Sequence, residues 1–248
     1  MLICSDPYLL TTFLVEKAIE NGAALIQAKA TQLTMSNNTI SKVHAITSSG
    51  EQISLDCDAL IIAAGPWTGE LTRTFNLPNP IPITSYAGHS IILRLSTPND
   101  ITSHERKSVS DSCLFMSLSI SRNSYHPEIF PRPNGQIYIC GINSDLPLPS
   151  TPLLAQPLPT TISQLHSIAD SLFGDNYVVE KEQVCFRPMT GHGEPFVGSV
   201  RGVNGVWVGA GHSFWGITLG LGTGLVLSEM VLGRSEGELS ADVSGLRP

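Results

Sequence analysis

The sequence has few charges, no clustered basic residues, no paired cysteines and no complete phosphate-binding fingerprint. Charged residues make up 14% of its 248 positions, and 14 Lys and Arg stand scattered against 21 Asp and Glu, leaving a formal net charge of -7. Without a basic stripe, nucleic-acid binding and attachment to an anionic membrane surface are not expected, and small molecules or proteins are the expected partners. Cys4, Cys57, Cys113, Cys140 and Cys185 stand singly with no Cys-x-x-Cys among them. That pattern argues against a disulfide framework and a zinc site, and for a reducing compartment. Met1–Pro7 has no basic stretch followed by an apolar one, so no secretory signal is visible and a cytoplasmic location is expected.

What is present is apolar: 42% of residues are hydrophobic, enough for one substantial core or two modest ones. The run from Val206 to Glu229 carries no charge before its last residue, but six glycines and His212 interrupt it. It is therefore expected to form a buried strand and a tightly packed helix rather than a membrane span.

Local signals outline an order of elements. Asp6-Pro7 followed by Leu10, Phe13, Leu14 and Ala18 predicts a capped amphipathic helix that Gly22 closes. Ala24 to Ala28 reads as a short strand, Lys42–Ser48 with Gln52–Leu55 as a hairpin, and Ala59–Gly65 as a strand covered on both faces. Pro78, Pro80 and Pro82 enforce an extended crossing, beyond which Ser90–Leu95, Cys113–Ile120 and Gln136–Cys140 read as strands. Ser96 to Ser112 and Leu146 to Pro159 read as loops, and Ile162, Leu165, Ile168, Ala169 and Leu172 as a helix stopped by Gly174. A strand Val206–Ala210, a glycine turn and a helix from Gly216 to Leu232 complete the chain. The order implies an α/β domain made of both chain ends, with a mostly antiparallel α+β insert between them.

Three motifs fail on closer reading. Gly209-Ala210-Gly211 is half of a dinucleotide fingerprint, but the third glycine position is Phe214. Ser213 imitates a nucleophile elbow, yet position 215 is Trp and no histidine follows His212 to serve as base. His192-Gly193-Glu194-Pro195 imitates a zinc deaminase motif, and no cysteine follows Cys185 to complete it. Two glycine-bearing strand ends survive, Ala63–Trp67 and Gly209–His212, where a missing Cβ lets backbone approach a ligand or merely allows a tight turn.

Asp58–Gly69, Arg187-Pro188-Met189-Thr190 and Gly211–Thr218, in that order, resemble the glycine oxidase/D-amino-acid oxidase superfamily of flavoproteins. Glu128–Gly141 further resembles a fungal branch of FAD-dependent oxidoreductases. The resemblance implies an FAD-binding Rossmann-like domain from residues 1–77 and 190–234, a substrate-binding domain over 78–189, and a C-terminal tail over 235–248. It implies FAD as cofactor and hydride transfer from the carbon next to nitrogen of an amine or amino acid. By the same resemblance Thr31 contacts the adenine, and Ala64, Gly65 and Trp67 form a wall beside the cofactor. Gly211, His212, Trp215, Gly216, Ile217 and Thr218 face its ring, while Arg187 stands near the substrate pocket. His89 and His212 are candidates to line that pocket, against the more frequent case of a histidine satisfied by backbone. Arg187 can pair with a substrate carboxylate or take part in a structural salt bridge.

The family's opening strand, Gly-x-Gly-x-x-Gly turn and helix have no counterpart in this sequence. The Rossmann-like domain is accordingly expected to be incomplete. Two readings remain: an oxidoreductase fragment that needs the absent unit, or a non-catalytic relative that acts as a binding or interaction module.

Overall fold

The computed structural model describes residues 6–96, 112–132 and 134–248. The chain is mixed α/β and divides into two compact units, one of Met1–Leu10 and Tyr86–Phe186, the other of Thr11–Ser85 and Arg187–Pro248. Most of the expected Ser96–Ser112 loop lies outside the described residues.

In the first unit an antiparallel sheet is backed by a helix. Its strands are β5 (Ile83–Leu95), β6 (Leu114–Phe115), β9 (Glu128–Pro131), β10 (Gln136–Ser144) and β11 (Tyr177–Thr190), in the order β11-β5-β10-β9-β6, with Ile83–Ser85 of β5 and Arg187–Thr190 of β11 belonging to the second unit. β7 (Leu118–Ile120) and β8 (Asn123–Tyr125) form a separate hairpin. The helix α3 (Pro159–Phe173) turns the predicted stripe Ile162, Leu165, Ile168 and Ala169 into a core shared with Ile91, Leu93 and Ile139 of the sheet. Helix α1 (Pro7–Glu20) starts where the Asp6-Pro7 pair places it, because Asp6 Oδ1 accepts the Tyr8 and Leu9 amides at 2.9 and 3.3 Å.

The second unit contains two three-stranded sheets. β1 (Ala28–Ser36), β2 (Thr39–Thr47) and β3 (Gln52–Asp56) form an antiparallel meander whose first turn, Asn37-Asn38, has φ of 49° and 59°. Asparagine tolerates that left-handed backbone, so a two-residue turn is accessible there. β4 (Leu60–Ile62), β12 (Phe196–Ser199) and β13 (Val206–Ala210) form the other sheet, in the order β12-β13-β4. Helix α2 (Thr68–Thr74) follows β4, and α4 (Gly216–Val231) follows β13.

Several expectations need correction. The strand expected over Ala24–Ala28 begins only at Ala28 and runs to Ser36, held by hydrogen bonding to β2 and by Leu33, which is buried in the core with Ala30 and Met35 packed against it. β4 is not covered on both faces: Ile62 is 2% exposed, but Ile61 is 42% exposed on a strand at the sheet edge. The helix after β13 is not tightly packed, with only Val226, Leu227 and Glu229 buried. The segment Ser213–Val231 is long and apolar enough to cross a membrane by length and composition. Its exposed residues include Ile217, Leu219, Leu221 and Leu225.

Residues 235–248 pack back on this unit, with Val243 buried beside Val197, Val226 and Leu227. Glu229 anchors them: its carboxylate accepts the Ser240 hydroxyl at 2.6 Å and the Ser240 amide at 2.8 Å, and Arg234 pairs with it at 2.8 Å. The Ser240 hydrogen bonds, and then Arg234, hold the Glu229 carboxyl below its ordinary range. A depressed carboxyl stabilises the fold above its unfolded-state pKa, and that contribution disappears as pH falls through the depressed folded value. Glu229→Gln is therefore expected to lower the Tm at neutral pH and to flatten its fall on acidification below about pH 4.3. Thermal melts of both proteins across that range check this, and parallel curves would refute it.

Candidate active site

Parallel pairing creates the site. β13 runs parallel to β4 with Val206 opposite Leu60, Trp207 opposite Ile61 and Val208 opposite Ile62. Both strands point the same way, so Ala63-Ala64-Gly65 and Gly209-Ala210-Gly211 leave the sheet side by side at its carboxyl end. Open α/β sheets bind ligands at that end.

The two turns differ in what their glycines do. Gly65 has φ of +53° and a Cβ built there meets nothing within 4 Å, so backbone conformation calls for glycine and the space in front is open. It begins a short 3-10 turn, Gly65–Trp67, that leads into α2. Gly211 has φ of +91°, and a Cβ there would lie 2.5 Å from Thr190 Cγ2. Gly209 admits α4 instead, since its Cβ would meet Leu227 Cδ1 at 2.7 Å and Thr223 Cγ2 at 3.1 Å. The close helix–strand packing normally permitted by the third fingerprint glycine is thus met here by Gly209, and position 214 is released to carry phenylalanine.

His212 straps the turn to the helix, with Nε2 2.8 Å from Thr223 Oγ1. Burial lowers its pKa, which favours the neutral ring. Ser213 takes φ of +52°, and its hydroxyl donates to Met189 Sδ at 3.4 Å. Phe214 lies against Arg187, with the guanidinium carbon 4.6 Å from the ring centroid. Trp215 and Ile217 are exposed at 65% and 53%, and α4 opens at Gly216 without a side-chain cap. Its first amides, those of Gly216, Ile217 and Thr218 among them, therefore form a positively polarised helix end.

The structure brings Ala64, Gly65, Gly211, His212 and the start of α4 to one end of one sheet, and Arg187 to the turn beside them through Phe214. Trp67 follows in the turn after Gly65. Thr31 sits elsewhere, at an irregularity in β1 where the register shifts between Ala30 and Gln32, and its hydroxyl donates to the His44 carbonyl at 3.2 Å. His89 belongs to the first unit, with a fully buried ring whose Nε2 is 2.8 Å from Ser144 Oγ. Sequence reasoning placed Met189 and Phe214 inside motifs but did not find Thr223, the contact of Ser213 with Met189 or that of Phe214 with Arg187, since no local pattern marks partners brought together by the fold.

A parallel strand pair with two glycine turns and a helix opening at its carboxyl end is the architecture of a nucleotide-cofactor protein. The chain belongs to the FAD dependent oxidoreductase family, which matches it over residues 3–230. The family's cofactor is FAD. A Schizosaccharomyces pombe protein named only as an oxidoreductase is 30% identical over 72% of this chain and 43% of its own. A D-amino-acid oxidase of Bradyrhizobium diazoefficiens is 33% identical over 36% of this chain and 20% of its own. The fold is shared with an iminodiacetate oxidase from Chelativorans sp. BNC1, at a TM-score of 0.71 and 19% identity over 97% of this chain and 58% of that one. It is shared too with a glycine oxidase from Geobacillus kaustophilus, at a TM-score of 0.69 and 20% identity over 96% and 56%. The chain thus spans about half the length of the curated relatives it matches across most of its own.

The residues at the sheet end fit part of an FAD. Open space before Gly65, exposed apolar side chains at 215 and 217, and an uncapped helix start suit a flat, electron-accepting ring. The pyrophosphate has no Gly-x-Gly-x-x-Gly to hold it in this sequence.

Proposed function

We propose that this chain is the ring-facing and substrate-recognising part of an FAD-dependent oxidoreductase that oxidises an amine or amino acid by hydride transfer from the carbon next to nitrogen. The observation that carries the proposal is the parallel register of β4 and β13, which delivers Gly65 and Gly211 to the same sheet end. Bound FAD supplies the hydride acceptor. Ala64, Gly65 and Trp67 form one wall for it, and Gly211, His212, Trp215, Gly216, Ile217 and Thr218 the other, with Thr31 toward the adenine. The uncapped amides that open α4 favour negative charge on a ring placed before them. Arg187 donates guanidinium N–H groups to a substrate carboxylate in this reading, which suits an amino acid better than a simple amine. His212 contributes a neutral ring that holds the turn, and His89 takes no part, because its ring is fully buried against Ser144.

The exposed residues Ile217, Leu221 and Leu225 recur at helical spacing along α4, and β4 lies at the sheet edge. We assign this apolar surface to a strand–glycine-turn–helix unit that holds the pyrophosphate, on the same polypeptide or a separate one. The test is a flavin absorbance spectrum of the chain purified alone and co-expressed with the phosphate-binding unit of a fungal relative. A stoichiometric yellow complex that bleaches anaerobically on addition of amino acids is expected with the unit present. A protein that stays colourless in both preparations would instead support a non-catalytic binding module.

A further inference from the structure

Phe214 is 57% exposed, so burial does not account for its place beside Arg187. Backbone geometry does. Gly211 at φ of +91° and Ser213 at φ of +52° bend the turn sharply, and the Trp215 amide closes it on the His212 carbonyl at 2.9 Å. Ser213 Oγ pins it to Met189 Sδ, two residues beyond Arg187 on β11. A serine in the left-handed region costs free energy that a relaxed loop would avoid. The turn holds that conformation with Phe214 directed at the guanidinium.

We propose that Phe214 is a positioning residue for Arg187, one that stacks on the guanidinium and orders it in advance for a planar carboxylate. This rests on the proposed carboxylate role of Arg187. The two interactions are compatible because a guanidinium carries five N–H donors, more than a carboxylate accepts, and a cation–π contact with the Phe214 ring draws on its charge and not on all of those donors. A long arginine side chain loses rotamer freedom on binding an anion, and a stacked one has lost it beforehand. The clamp therefore raises affinity for carboxylates without touching them. It also places an aromatic surface next to the carboxylate, so ligands with an apolar group beside the acid gain further contact.

The full chain, benzoate and acetate as probes, and the Arg187 Nε–Hε resonance test this. In the wild type that resonance is expected to carry a ring-current shift that Phe214→Leu abolishes and Phe214→Tyr retains. Benzoate binding, measured by titrating the same resonance, should weaken about three- to tenfold in Phe214→Leu and recover in Phe214→Tyr. Acetate should show the same order at lower affinity. Equal thermal melts for the three proteins, expected at so exposed a position, separate positioning from folding. If the wild type binds benzoate and Phe214→Leu binds it equally well, the positioning role is overturned while the carboxylate role of Arg187 stands. If the wild type binds neither probe, the carboxylate role fails, and the positioning proposal with it, even where the ring-current shift persists.

Discussion

Leu165→Ala is expected to lower the unfolding free energy of the first unit by about 2–5 kcal/mol. Leu165 has no solvent exposure and lies on α3 in a cluster with Ile91, Leu93 and Ile139 of the sheet. Removing its terminal carbons forfeits their transfer free energy and leaves a cavity that a sheet and a helix, both hydrogen-bonded along their lengths, close only in part. Ile168→Val, in the same cluster, removes one methylene and should cost about 0.5–1.5 kcal/mol. Urea unfolding followed by circular dichroism measures both. A Leu165→Ala midpoint equal to that of Ile168→Val would show that the site collapses freely and that this core is loosely packed.

The second large effect is expected of Gly211→Ala, at about 2–5 kcal/mol. About 1–2 kcal/mol comes from placing a Cβ at left-handed φ, and about 1–3 kcal/mol from the overlap it creates. The new methyl would lie 2.5 Å from Thr190 Cγ2. Thr190 cannot simply rotate away, since its hydroxyl donates to the Glu194 carbonyl at 2.7 Å. The turn must shift, and His212, Ser213 and Phe214 shift with it. The variant should therefore lose the Arg187 ring-current shift as well as stability. Unfolding midpoints and the Arg187 resonance read the two effects separately. A stable variant with an unchanged resonance would mean that the turn adapts and that Gly211 is not what shapes it.

The sequence was most informative where signals are local. An aspartate before proline marked the start of α1, spaced apolar residues marked α3, and a glycine after them marked its end. β11 was invisible by the same logic: Tyr177–Thr190 carries Glu180, Lys181 and Glu182 in succession and lies at the edge of its sheet, where solvent accepts charge that a central strand would not. β1 hid its alternation: Ala28 and Ala30 are in phase before the irregularity at Thr31, and Leu33 and Met35 after it, so the period of two is broken in mid-strand. Resemblance placed the chain in a flavoprotein family, and its match over residues 3–230 agrees. Motifs separated look-alikes from complete patterns within this sequence, because a histidine after Ser213, a cysteine after Cys185 and a glycine at position 214 are residue types that either stand at the required spacing or do not.

Taken by itself, the sequence determined the family, the glycine turns and the composition of the helices, since each depends on residues close together along the chain. Tertiary structure alone decided that the turns after β4 and β13 lie side by side, that His212 is tied to Thr223, and that Phe214 covers Arg187. Those facts depend on strand direction, register and backbone dihedral angles. They follow from contacts between distant segments, whose free energy is settled only when the whole core is assembled.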